Sequence, residues 1–74
     1  MKTAPITVHQ AALNGGRQVT MRRQGREDVL GVAYSDHDLV VFLEAAKVVS
    51  PENVLDDPQL VQWNGEGAHE WRAA

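Results

Sequence analysis

The sequence contains no cysteine. That absence removes disulfides, thiolate metal sites and thiol nucleophiles together, and it fits a reducing, cytoplasmic compartment. Aromatic residues are scarce, with two tryptophans, one tyrosine and one phenylalanine. The longest apolar run, Leu39-Val40-Val41-Phe42-Leu43, falls far short of the ~20 residues that a bilayer span takes. The first five residues, Met1-Lys2-Thr3-Ala4-Pro5, hold one charge and no apolar stretch. They predict a flexible tail rather than a signal peptide, and a soluble chain with no membrane partner.

What remains is 74 residues with 43% hydrophobic content, enough for one small domain over residues 1–74. Chains of this size bury only about 60% of the surface that their unfolded form exposes, so most rely on disulfides, a metal or a partner subunit. With disulfides excluded, an oligomer interface is the ordinary remaining candidate. The net charge of −3 conceals an uneven distribution. Residues 1–34 carry five basic and two acidic side chains, whereas residues 35–74 carry two basic and eight acidic ones. Such a split steers charged partners or favours self-association.

Glycine marks three breaks, at Asn14-Gly15-Gly16, Gln24-Gly25-Arg26 and Asn64-Gly65-Glu66-Gly67. Ile6 and Val8 alternate with polar residues before the first break, and Val19 and Met21 after it. This pattern predicts two antiparallel strands joined at Asn-Gly. A short helix over residues 7–14 capped by Gly15 is the competing reading. Polar residues 23–28 read as a turn, and Val29–Tyr34 as a third strand. Leu30, Val32 and Tyr34 would share one face, with Gly31 opposite, where another group crosses closely.

Ser35 then opens the clearest element. Serine is a preferred N-cap, and Asp36 and Asp38 place negative charge at the positive end of the helix dipole. Tyr34 and Leu39 have the spacing of a hydrophobic staple. Leu39, Phe42, Leu43 and Ala46 line one helical face. The helix must stop near Lys47 or Val48, because Ser50-Pro51 follows. Ser50 reads as a second N-cap with Pro51 at the first helical position, opening a short helix that runs to about Asp56. Leu60–Trp63 and Ala68–Trp71, joined by a glycine turn, read as a C-terminal hairpin. The chain is therefore expected to be α+β, in the order β-β-β-α-α-β-β. Its small antiparallel sheet, three N-terminal strands plus the C-terminal hairpin, would pack on one main helix.

Residues suited to catalysis are thinly spread. His9, His37 and His69 lie far apart, without the close-spaced pair usual in zinc sites. Adjacent side chains in Asp36-His37-Asp38 point different ways. Ser35 and Ser50 are accounted for as caps, and Asp56-Asp57 as a solvated turn. No nucleophile, base and orienter are nominated together, so no enzyme activity, cofactor or metal is expected.

Binding surfaces are better represented. Arg17, Arg22, Arg23 and Arg26 cluster within ten positions, an arrangement that suits phosphate. The adjacent Glu27 and Asp28 and the lack of interleaved aromatics count against it. Trp63 and Trp71 read as core or as anchors of a binding surface. His37, Val41 and Glu44 lie on the helix face away from the apolar stripe. These nine residues form the candidate interaction surface. The function expected is a protein-interaction module, with another protein or a second copy as partner. Nucleic-acid binding through Arg17–Arg26 is the alternative, and a small metal protein or enzyme a more distant one.

Overall fold

The structure, a computed structural model, describes residues 4–71. Alternation in the first third of the chain builds a meander of β1 (Ile6–Ala11), β2 (Arg17–Arg23) and β3 (Arg26–Ala33). Ile6, Val8 and Val19 are buried on one side of it, as a two-residue period requires. Residues 7–14 are thus not a helix. Pro5, expected in a flexible tail, accepts a 2.7 Å hydrogen bond from the Arg22 amide; residues 1–3 of that tail lie outside the described residues.

The β1–β2 connection turns on Gly15 at φ 90°, with the Asn14 side chain accepting from the Gly16 amide at 2.9 Å. The second turn is tighter than the polar run suggested. Arg23 pairs directly with Arg26 across Gln24-Gly25, at φ 51° and 77°, values that a type I′ hairpin demands. Residues 26–28, expected in the turn, therefore belong to β3.

A bulge then corrects the expected facing of β3. Val19 pairs with Gly31 but Thr20 with Val29, so Leu30 is the extra residue. Two residues opposite one shift the alternation. Leu30 packs toward the core, while Val32, opposite Gln18, faces out. Gly31 is crossed closely: a Cβ there would lie 2.7 Å from Phe42 Cζ.

Helix α1 (Asp36–Ala45) begins where its cap predicts, with Ser35 Oγ accepting from the Asp38 amide at 3.2 Å. Leu39 and Leu43 are fully buried, each contributing about 2 kcal/mol before entropy is subtracted. Tyr34 does not staple onto Leu39; its ring lies over Gly16 beside Val32. The helix closes in a Schellman motif. The Val48 and Lys47 amides donate to Leu43 and Glu44, with Lys47 left-handed at φ 69°, where glycine is usual.

Helix α2 (Pro51–Val54) is shorter than expected, and Ser50, at φ 52°, makes no capping bond through its side chain. Val49, just before Ser50, is exposed and makes no hydrophobic staple onto this helix.

The largest departure is at the C-terminal end. Strand β4 (Val61–Trp63) pairs parallel with β1, Ile6 with Val61 and Val8 with Trp63. Residues 68–71 form no strand, so the expected C-terminal hairpin is absent. The fold is α+β, but its sheet is mixed, in the order β3-β2-β1-β4. A hairpin reading pairs Leu60–Trp63 with the residues that follow it in sequence; instead β1 is the better partner, because its second edge is otherwise unpaired. Helices cover one face, enclosing Ile6, Val8, Val19, Ala33, Leu39, Leu43, Val54, Leu55 and Val61. Among the described residues no helix is long and apolar enough to cross a membrane.

Candidate functional site

Arg17 begins β2 on its inward face and is fully buried, so it cannot belong to an exposed arginine surface. Its Nε donates to His9 O at 2.8 Å. Nη1 donates to Gly67 O and Glu70 O at 3.0 and 2.8 Å. Nη2 donates to Asn64 O and Glu66 O at 2.9 and 3.0 Å. All five guanidinium N–H groups thus end on backbone carbonyls, four of them in the segment after β4. Burial pushes the Arg17 pKa down, while the charges of Glu66 and Glu70 oppose that shift.

Both tryptophans pack on this guanidinium, with Trp63 and Trp71 ring centres 5.3 and 5.6 Å from its central carbon. The two rings meet edge to face at 5.8 Å. Each is half-buried against the core, and each indole N–H is used. Trp63 donates to Leu55 O at 3.3 Å, and Trp71 to Asp36 Oδ1 at 2.8 Å. The pair forms a cage around a cation of its own chain.

Outside that cage lies a constellation that sequence spacing missed. The His69 ring sits between two carboxylates, with Nδ1 2.7 Å from Asp36 Oδ2 and Nε2 2.5 Å from Asp56 Oδ1. Hydrogen bonds donated to Asp56 and then to Asp36, with the charges of both adding, raise the His69 pKa above the ordinary histidine value despite partial burial. Asp36 and Asp56 read as a first-turn charge and a turn residue, and their partner lies 33 and 13 positions away. No local motif could have joined them.

The chemistry open to this trio is limited. Its carboxylates occupy opposite nitrogens of one ring, so they do not converge with the imidazole on a single ion. Among the described residues no group of three or more histidines, cysteines or carboxylates could hold a metal. A second polar chain crosses the outer face of the sheet, where Thr20 Oγ1 contacts His9 Nε2 at 2.9 Å and donates to Glu27 Oε2 at 3.0 Å. Here the carboxylate takes the hydroxyl proton and does not orient the imidazole, which is not the order of a nucleophilic triad.

The other predicted surface residues are dispersed. Arg22, Arg23 and Arg26 are exposed at the β2–β3 hairpin. Arg23 lies 3.7 Å from Asp28, and Arg22 is directly across from Glu27. His37, Val41 and Glu44 are exposed on α1. A further feature is an apolar patch that no sequence motif marks. Val29 and Val32, opposite Thr20 and Gln18, stand 62% and 45% exposed on the outer sheet face. Tyr34 adjoins them at 41%, and its hydroxyl accepts from Asn14 at 3.2 Å, next to a fully exposed Leu13. The β3 bulge, which turned Val32 outward, was the signal that a simple alternation could not supply.

No family model, curated protein or solved structure matches the chain.

Proposed function

We propose that this chain is a protein-interaction module without catalytic activity, working as a homodimer through the outer face of its sheet. The observation that carries this reading is the exposure of Val29, Val32 and Tyr34 on the face that the helices leave uncovered. Apolar side chains gathered on one face of a small domain favour burial against a partner. Edge-to-edge pairing through β3 is a poorer alternative, because Arg26, Glu27 and Asp28 and a bulge occupy that edge. Charges and bulges are what protects an edge strand. Face-to-face packing of two sheets leaves that edge unused and brings the apolar patches of two copies together.

The nucleic-acid alternative is weakened by the same geometry. Arg17 is internal, and Glu27 and Asp28 lie against the exposed arginines, leaving little net positive potential for phosphate.

Sedimentation velocity over a concentration series tests the proposal. The expected result is a dimer that the double substitution Val29→Asp, Val32→Asp converts to a folded monomer. A wild-type monomer at every concentration would overturn it, and so would a dimer unaffected by the two aspartates.

A further inference from the structure

The segment after β4 is held in two chemically different ways. Its first part is fixed by Arg17, whose charge persists across the physiological range and which also reaches Glu70 O further along. Its second part is fixed by His69, the one side chain type whose charge changes near neutrality. His69 lies at φ 65°, a left-handed conformation that a residue with a Cβ adopts only when its surroundings hold it there. The clamp supplies those surroundings. Asp36 begins α1 and Asp56 follows α2, so one imidazole ties the segment to both helices. Asp36 also accepts from Trp71, which links the tryptophan to the same carboxylate.

A neutral imidazole has a single N–H. With oxygens at 2.7 and 2.5 Å on its two nitrogens, the ring can donate to both only as imidazolium. Once the proton leaves, one bare nitrogen faces a carboxylate oxygen at hydrogen-bond distance, and repulsion replaces attraction. We propose that residues 68–71 are a proton-controlled latch, closed by the His69 imidazolium between Asp36 and Asp56 and opened by its deprotonation. Arg17 keeps residues 64–67 docked in both states, and opening gives up its further bond to Glu70 O and its packing on Trp71.

The charged groups around His69 act together in this device. Asp36 and Asp56 face it directly, and His37 is the exposed neighbour of Asp36 on α1. Asp38 is turned back onto the Tyr34 amide, and Asp57 is engaged by the Gln59 amide. Within the segment, Glu66 accepts from the Ala11 amide and Glu70 from the Gly67 amide. Arg17 lies against Trp63, which packs 5.4 Å from the His69 ring. Carboxylates thus outnumber cations around the ring and favour its charged form.

Opening the latch moves Trp71 away from Asp36 and from Trp63, so the indoles report it directly. Tryptophan emission and the His69 ring proton resonances would be followed together, on the full chain, over the range of about pH 5.5 to 9 that brackets histidine titration. The expected result is one emission transition, coincident with the titration of His69 and above the midpoint of an ordinary histidine. His69→Gln should abolish the transition and His9→Gln should leave it intact. Asp56→Asn, which preserves shape and removes one charge, should shift the midpoint downward, as a second reading should the glutamine variant not fold. Constant emission across the range in the wild type, a transition that survives in His69→Gln, or an unmoved midpoint in Asp56→Asn would each overturn the proposal.

Discussion

Asp36 Oδ1 accepts the Trp71 indole proton at 2.8 Å while the other oxygen of the same carboxylate holds His69. A first-turn charge of α1 thus serves as the joint between that helix and the C-terminal segment. Asp36→Ala removes both bonds and leaves a half-buried indole N–H unpaired, for which about 1–3 kcal/mol is expected. Asp36→Asn keeps an acceptor for Trp71 and should lose less. Urea unfolding at pH 6 would rank the two. Equal losses would show that the indole bond contributes nothing.

Arg17→Lys tests the buried guanidinium. An ammonium group offers three N–H donors in place of five, so at least two of the carbonyls of His9, Asn64, Glu66, Gly67 and Glu70 lose their partner. Each buried carbonyl left unpaired costs about 1–3 kcal/mol, so two of them take a large share of the roughly 5–15 kcal/mol that domains possess. The expected outcome is a chain partly or wholly unfolded without denaturant, by circular dichroism. A loss below about 1 kcal/mol would contradict the donor count.

Gly31 and Gly25 both have positive φ, but their surroundings differ. An alanine Cβ at Gly31 meets Phe42 at 2.7 Å, whereas at Gly25 it meets nothing within 4 Å. Gly25→Ala should therefore show conformational strain alone, roughly 1–2 kcal/mol. Gly31→Ala adds overpacking of about 1–3 kcal/mol to strain. Phe42→Leu introduced beside Gly31→Ala should recover part of that addition and none of the Gly25→Ala loss. Strict additivity of the Gly31 and Phe42 changes would refute the contact.

The raised His69 pKa also fixes the sign of a stability change. A group that binds its proton more tightly when folded stabilises the fold fully below its unfolded value of about 6.5. That contribution disappears as pH rises through the higher folded value. Because all three side chains are substantially exposed, screening limits it to about 1 kcal/mol at most. Urea midpoints measured from pH 5.5 to 9 should fall toward the alkaline side, less steeply in 1 M salt. A midpoint that rises over that range would contradict the assignment.

Much of the fold was legible because it is locally encoded. Ser35 with Asp36 and Asp38, the apolar face from Leu39 to Ala46, and the alternation of Ile6, Val8, Val19 and Met21 each need only a few neighbouring residues to be recognised. Three features needed information from elsewhere in the chain. The bulge at Leu30 depends on how β3 meets β2. Trp63 joins β1 in preference to the residues just after it, which follows from the sheet having an unfilled edge there. Arg17 resembled its exposed neighbours Arg22, Arg23 and Arg26, and only the inward phase of β2 and the carbonyls of residues 64–70 distinguish it. The His69 clamp was hidden for the same reason: its members come from three separate parts of the chain.

The position of β1 between β2 and β4 has a consequence for how the molecule is made. Its first neighbour emerges within a few residues, but its second emerges only when residues 61–63 have been synthesised. Until then a nascent chain holds a three-stranded meander in which β1 is still an open edge, with Arg17 lacking the four carbonyls it later binds. Closure over so long a span is entropically costly and slow. The final docking of residues 61–71 is thus expected to set the refolding rate, and the interval before it to be when the protein is most prone to mispair with other chains.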